Sequence, residues 1–502
     1  MVGLFSRYQR VPASELPSNT AEAHRPSSHG STSAKPGFGR ARTRWALIIA
    51  AIFALLLFLG LNADPDPTSG VDSWRAKAGQ YADRLGSGGW SWKPSPPKPA
   101  EAPETEAPIQ VIGKEMQRWT QGSGRANLTY NSPFNPEDLT LTEEECDAFF
   151  PGLWDEIDRS VKHFTHVDTN SRQYLDKVCD DGIWSHARVL VHNNKVYLRY
   201  FQKSPFTRLQ AALALLYQSV ITSREKLPDV EFCISLNDWG SQGKFSLDRA
   251  PYLHDVWLMP DYGWYAWPEH VGSYAEYREK TLQVERDNPW EKKISKLFWR
   301  GSMGVGTADR EAMLGAAEGH EWNDAKAMTW GKGGNIPMED HCKWKFHGFP
   351  EGVTYSGRLR YLQNCKVVIV THEPRWIQHW THLYNPDPNS PDQNIVFVPK
   401  YDGDQPGILT HNEKGEASYD KTWMRLPETM DDLLRNDDKA RRIAENQWTF
   451  FRERYISPAS AACYWRKLIK GYATTQLFTP VYHGNETSYE GFQLQQKLRT
   501  DP

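Results

Sequence analysis

Between Lys296 and Ala317 the chain passes abruptly from strand to helix, and that passage limits what can be built around it. Lys296-Leu-Phe-Trp-Arg300-Gly301-Ser302 reads as a β-strand that stops at a basic, glycine-rich turn. Met303-Gly304-Val-Gly306-Thr-Ala-Asp-Arg310 follows and leads into a helix from Ala308 to Ala317. A helix that begins just after such a turn aims backbone N–H groups and a positive dipole end at whatever sits in front of it. Arg300 and Arg310 add charges that stay protonated and grip phosphate oxygens in a fork. A phosphate or diphosphate is the expected guest. An ordinary βα loop with surface arginines has the same spacing, so the surrounding motifs must decide.

Far upstream, Trp45 to Leu61 forms an uncharged apolar run, WALIIAAIFALLLFLGL. At 1.5 Å per residue it reaches roughly 26 Å, enough for a thin bilayer. Arg40, Arg42 and Arg44 precede it directly. The positive-inside rule then keeps residues 1–44 cytosolic, makes 45–62 a signal-anchor, and delivers the rest to the lumen. Residues 63–107 are rich in Pro, Ser, Gly and Ala, which builds a stem and no core. The remaining chain suffices for two packed lobes, expected over 108–290 and 291–502. All six cysteines fall in this lumenal part, as do the sequons at Asn127 and Asn485. A net charge of −3 argues against nucleic acid as the partner.

Within the globular part, Thr142 to Val161 reads as a helix, with Thr142 and Glu145 forming a capping box. Val189 to Phe201 alternates around Asn193-Asn194, a hairpin pattern. Arg208 to Thr222 has helical spacing. Val230 to Leu236 is a buried-strand pattern that ends in Asn237-Asp238. Ligands of open α/β sheets collect outside the carboxyl ends of strands, so Asp238 is a candidate base. Trp257 to Trp267, WLMPDYGWYAW, is an aromatic loop that suits sugar rings and core packing alike; Trp264 and Trp267 are its candidate acceptor-stacking residues. Val353-Thr-Tyr-Ser356-Gly-Arg358 is a second turn with hydroxyls and arginines, running into a helix and the strand Val367–Val370. Asn394 to Pro399 is another strand, and Met430–Tyr455 and Pro458–Ala473 are closing helices. Alternating strands and helices predict an α/β fold with parallel sheets.

Three blocks together resemble the capsule-associated and Rumi-like enzymes of glycosyltransferase family 90: Asn237-Asp238-Trp239, Phe298-Trp-Arg300-Gly301-Ser302 with Arg310, and Asp340-His-Cys342-Lys-Trp-Lys…Gly352-Val…Ser356-Gly-Arg358…Cys365. That family includes animal protein O-glucosyltransferases and fungal capsule xylosyltransferases, and the chain is similar to a fungal-type, membrane-anchored member. The resemblance implies a two-lobed GT-B fold with Rossmann-like sheets and the nucleotide mainly on the second lobe. It implies Asp238 as catalytic base. It implies Ser302, Arg310, Val353, Thr354, Tyr355, Ser356, Gly357 and Arg358 as the nucleotide-sugar site, to which the basic turn adds Arg300 and Gly301. It also implies Cys342–Cys365 and Cys146–Cys463 disulfides, with Cys179 and Cys233 unassigned. The expected activity is inverting transfer of glucose or xylose from a UDP-sugar to a glycan or glycoprotein hydroxyl. The expected place is the Golgi or ER membrane, in capsule or cell-wall polysaccharide synthesis.

No metal ligand set is expected, since arginines replace the cation; Mn²⁺ is the alternative. Asp64-Pro-Asp66 lies in the stem, and Asp402-Gly-Asp404 looks like turn chemistry. A membrane-anchored lectin without turnover is the rival reading, and a glycoside hydrolase the next, although neither uses a diphosphate cradle.

Overall fold

The computed structural model of the protein describes residues 128–165, 171–180, 185–202, 207–267, 271–328 and 336–495. All of them fall within a single unit, residues 101–502. The apolar run, its basic flank, the stem and Asn127 lie outside the described residues. Among the described residues no helix is long and apolar enough to cross a membrane.

The first helix, α1 (Glu143–Phe149), opens with the expected capping box: Thr142 N–H donates to Glu145 Oε2 at 2.7 Å, and Glu145 N–H to Thr142 Oγ1 at 3.3 Å. The one helix expected over 142–161 is two. Pro151 and Gly152, the latter at φ 77°, turn the chain before α2 (Asp155–Thr165). After α3 (Arg172–Cys179), β1 (Ala187–His192) and β2 (Lys195–Phe201) form the expected hairpin. Asn193 and Asn194, at φ 49° and 54°, make its two-residue turn. A buried helix, α4 (Thr207–Ile221), leads to β3 (Val230–Ile234), β4 (Phe245–Ser246) and β5 (Trp257–Leu258). A ribbon of β6 (Ala266–Trp267) and β7 (Gly272–Ser273) then enters α5 (Tyr274–Asp287).

The next elements are β8 (Ile294–Gly301), α6 (Thr307–Ala317), β9 (Asn323–Ala327), β10 (Trp344–Phe349), the single turn α7 (Leu359–Leu362), β11 (Val368–Thr371) and β12 (Val396–Phe397). A hairpin, β13 (Ile408–His411) with β14 (Ala417–Asp420), packs on α6. The long helix expected over 430–455 is α8 (Leu426–Arg435), a break at Asn436, α9 (Asp437–Gln447) and a π-helical segment Trp448–Tyr455. The last helices are α10 (Pro458–Thr475), capped by Ser457, and α11 (Tyr489–Gln495), which follows β15 (Thr487–Ser488).

Two sheets result. The first has the order β15-β2-β1-β3-β4-β5 and is mixed: its hairpin half is antiparallel, because a two-residue turn permits nothing else, and β3, β4 and β5 are parallel. The second has the order β9-β8-β10-β11-β12 and is parallel throughout. Phe232, Phe245 and Trp257, one from each of β3, β4 and β5, share a face under Tyr472 of α10, with ring centroids 6.1, 5.3 and 5.2 Å from it. That row sets the register of the three parallel strands. The closing helix α10 therefore packs on the first sheet's core, although it comes from the last part of the chain.

Three disulfides pin these layers. Cys342–Cys365 and Cys146–Cys463 pair as the resemblance implies, and Cys179–Cys233 ties α3 to β3. On β3, Glu231 is fully buried and meets Arg172 at 2.7 Å, Arg188 at 2.7 Å and Arg199 at 3.1 Å. A charge that deep survives only when paired.

Candidate active site

The second sheet reverses direction between β8 and β10: the chain steps from β8 out to β9, then returns to the other side of β8. Ligands of doubly wound sheets bind at such a switch point, outside the carboxyl ends of the strands. The two turns singled out from the sequence, Ser302–Arg310 after β8 and Gly352–Arg358 after β10, meet there. Arg310 Nε donates to the Glu351 carbonyl at 3.3 Å, and its Nη1 donates to the Ser302 carbonyl. Gly306, at φ 57°, caps α6, and a Cβ there would lie 2.6 Å from the Gly352 carbonyl oxygen. Only glycine lets the two turns close on each other.

Trp299, at the end of β8, carries a guanidinium near its indole from each turn: Arg310 at 5.8 Å and Arg358 at 5.9 Å from the ring centroid. Arg310 is buried, and among the described residues it bonds only to carbonyl oxygens. Among the described residues Arg358 has no carboxylate or carbonyl partner. Burial and then the like charge of Arg310 push its pKa down to about 10. Asp309 acts on Arg310 only at longer range, and two cations held together with neither in a salt bridge among the described residues form a receptor for an anion.

Beneath them lies a network that sequence reasoning missed. Asp309 accepts from Glu351 N–H at 2.9 Å, Trp423 Nε1 at 3.0 Å, Arg375 Nη2 at 3.0 Å and His372 Nε2 at 3.1 Å. Burial opposes its charge, but His372 first, then Arg375 and Trp423, outweigh that and hold Asp309 below the usual carboxylate range. The network locks the start of α6 to the ends of β10 and β11. The available signal was position: Asp309 adjoins Arg310, and His372 directly follows a strand.

The structure places several of the sequence-predicted residues differently. Arg300 does not join the cationic pair. Neighbouring strand residues point to opposite faces, so Arg300 leaves Trp299 behind, lies over Phe298, and binds Asp324 through Nη2 at 2.7 Å. Gly301 is required by packing, since a Cβ there would lie 2.3 Å from the Trp299 ring. The start of α6 does not face open space either: Thr307 N–H points to Glu413 Oε1, at 3.4 Å, from the turn between β13 and β14. Trp264 is no acceptor platform. It is buried, edge-on to Trp380 with ring centroids 5.4 Å apart. Trp267 is half-buried and stacked on Tyr361. Among the described residues the exposed indole is Trp239, beside Asp238, with 50% of its surface free.

Asp238 itself follows β3. Its carboxylate is 3.6 Å from Arg208 Nη1, and 44% of the side chain is exposed. Arg208 also lies over the Tyr262 ring at 5.1 Å. Within the second turn Val353 is exposed and Thr354 buried, while Tyr355, Ser356, Gly357 and Arg358 are half-buried. Arg360, just beyond, reaches back to Asp261 of the aromatic loop, a buried ion pair that fastens the two strand-end regions together. Asn485 is exposed. Among the described residues one acidic–cysteine cluster has metal-like spacing, Glu285 with Cys342 and Cys365, but its cysteines are spent in a disulfide. His341 is buried against Phe298, a packing role. Asp402 and Asp404 lie on an exposed turn.

Comparison with known proteins adds the lineage. Residues 142–389 match the family model of glycosyl transferase family 90. Those residues are a family 90 domain. The family 90 domain contains Asp238, both turns and the Cys342–Cys365 bridge. It is similar to protein O-glucosyltransferase 1 of Homo sapiens, 24% identical over 275 residues, covering 49% of this chain and 63% of that protein. O-glucosyltransferase rumi of Drosophila melanogaster is 24% identical over 276 residues, covering 49% and 60%. Protein O-glucosyltransferase 2 of Danio rerio is 23% identical over 355 residues, covering 67% and 64%. The chain spans about three fifths of the length of the curated relatives it matches.

Proposed function

We propose that this protein is an inverting, GT-B-type glycosyltransferase. It moves glucose or xylose from a UDP-sugar to a hydroxyl of a glycan or glycoprotein in the secretory pathway. One observation carries the reading: Arg310 and Arg358 both lie near Trp299 at the switch point, and no carboxylate among the described residues is bonded to either. A nucleoside diphosphate supplies the charge that this pair lacks. The relatives' names, all O-glucosyltransferases, support glucose as donor sugar and a glycoprotein as acceptor.

In this reading the first sheet serves the acceptor and the second the donor. Asp238, exposed at the end of β3, takes the proton from the acceptor hydroxyl. The freed oxygen attacks the anomeric carbon from the face opposite the diphosphate, and the carbon–oxygen bond to UDP breaks. Negative charge then gathers on the β-phosphate, where Arg310, Arg358 and Ser302 receive it. Arg208 fixes the carboxylate of Asp238 for the acceptor. The two guanidiniums take the part that a divalent cation plays in other transferases, so the reaction is metal-independent. The anchor at 45–62 and the exposed sequon at Asn485 support a type II orientation with the catalytic part in the Golgi or ER lumen.

The test is UDP release by the full-length protein from UDP-glucose and UDP-xylose, with and without chelator. Slow donor hydrolysis that survives chelation is the expected result. Release that returns only with Mn²⁺ would overturn metal independence. No release from any donor, with no stabilisation by UDP, would overturn the transferase reading.

A further inference from the structure

Three parallel strands of the first sheet each end near an aspartate: Asp238 after β3, Asp248 after β4 and Asp261 after β5. Two of them have partners. Asp238 faces Arg208, and Asp261 is bonded to Arg360 and to the Gly263 N–H at 2.7 Å. The middle one differs. Asp248 is fully buried, and neither carboxyl oxygen has a hydrogen-bond partner among the described residues. The Thr354 hydroxyl and the Tyr355 backbone face it without reaching hydrogen-bond geometry, and Thr354 Oγ1 is likewise buried and unpartnered. Burial first, then the nearby Asp238 and Glu351 carboxylates, raise the Asp248 pKa well above the usual range, which the weaker pull of Thr354 and Tyr355 does not offset.

A buried acid without a partner is destabilising, and such groups in a folded protein call for an explanation. Its position offers one. Asp248 is within electrostatic reach of the proposed base, Asp238, and faces Thr354 and Tyr355 of the turn proposed to hold the nucleotide sugar; in the transferase reading the transferred sugar sits between these two regions. The loop that carries Asp238 rests directly on it: a Cβ on Gly240 would lie 2.8 Å from the Asp248 carbonyl oxygen. We propose that Asp248 and the Thr354 hydroxyl receive a hydroxyl of the transferred sugar as this loop shifts, and so determine which sugar the donor carries. The proposal rests on the transferase reading above. A site built around a substrate hydroxyl rejects analogues lacking it far more strongly than a merely apolar pocket does.

The experiment compares full-length wild type, Asp248→Asn, Asp248→Leu and Thr354→Val. It reads kcat/KM for UDP release from UDP-glucose, UDP-xylose and UDP-galactose, the Kd of UDP alone, and Tm. For Asp248→Asn we expect a drop of about 10- to 100-fold on the preferred donor and a narrowed ratio between donors, with the UDP Kd held within about two-fold. Thr354→Val should shift the donor ratio in the same direction by less. Asp248→Leu should fold, with Tm raised, and lose donor discrimination. An unchanged donor ratio in Asp248→Asn and Thr354→Val, alongside active wild type, would overturn this inference alone. The isosteric Asp248→Asn keeps the test decisive if Asp248→Leu does not fold. Wild type that releases UDP from no donor would overturn the transferase reading itself.

Discussion

The two sheets present opposite chemistry at their strand ends. Past β3, β4 and β5 stand three aspartates; past β8 and β10 stand Ser302, Arg310 and Arg358. Two of those aspartates are paired, Asp238 with Arg208 and Asp261 with Arg360, and away from the strand ends the same residue types also neutralise one another. Glu231 is surrounded by three arginines, and Arg300 is bound to Asp324. A paired buried charge holds the fold, whereas one left unpaired at a strand end costs stability that a bound ligand restores. In the proposed reading, the location of its counter-ion separates a structural arginine, Arg300, from the donor-binding Arg310 and Arg358 of the turns.

Mutations that separate these classes test the distinction. Asp238→Asn should lower turnover by about 10²- to 10⁴-fold, measured as UDP release with acceptor present, and leave Tm unchanged because the side chain is half exposed. Near-normal turnover would remove Asp238 from the base role. Glu231→Gln should do the reverse. Stranding three arginines should cost about 3–5 kcal/mol in denaturant unfolding and leave the UDP Kd unchanged in the folded fraction. Arg358→Ala should reduce kcat by about 10²- to 10³-fold without loss of stability, since it removes an uncompensated cation. Arg300→Ala supplies the contrast: a loss of about 1–3 kcal/mol in stability and unaltered donor kinetics. A donor-binding defect in Arg300→Ala that matches the one in Arg358→Ala would break the comparison.

Much of the local structure was legible in the sequence. The Asn193-Asn194 hairpin, the Thr142/Glu145 capping box and the Ser457 cap are short-range devices whose partners lie within a few residues. The glycine turn before α6 was legible for the same reason. What escaped was set by long-range packing. Alternation puts Trp299 and Arg300 on opposite faces of β8, but which face meets the second turn depends on how α6 and α7 settle. Trp264 and Trp239 are both tryptophans in loops, yet one is covered by Trp380 while the other is free. Asp248 carries no local signal, because the turn it faces, at Thr354 and Tyr355, is remote in the sequence. The helices over 142–161 and 430–455 are interrupted at Pro151-Gly152 and at Asn436, where the chain turns before the next helix begins.

The smallest expected effect concerns the network under the cationic pair, and its sign follows from the direction of one shift. Burial lowers the pKa of His372, but the hydrogen bond and charge of Asp309, with Glu351 adding to them, outweigh burial and the opposing Arg375, so the folded value lies above 6.5. A histidine whose pKa is raised by folding binds its proton more tightly in the folded state. Its contribution is complete below pH 6.5 and is lost as pH climbs through the folded value. His347 behaves oppositely: burial pushes it down to about 3, so it weakens the fold as pH falls below 6.5. The two trends overlap in wild-type unfolding curves, and the difference between wild type and His372→Gln isolates the first. That difference should be largest at mildly acidic pH and shrink steadily as pH rises past 6.5. Because Asp309 also holds the start of α6 behind Arg310, the UDP Kd of wild type should weaken over the same interval and that of His372→Gln should not. A difference that grows with pH would mean that His372 is neutral in the folded protein and that the charge of Asp309 is held by Arg375, Trp423 and the Glu351 N–H.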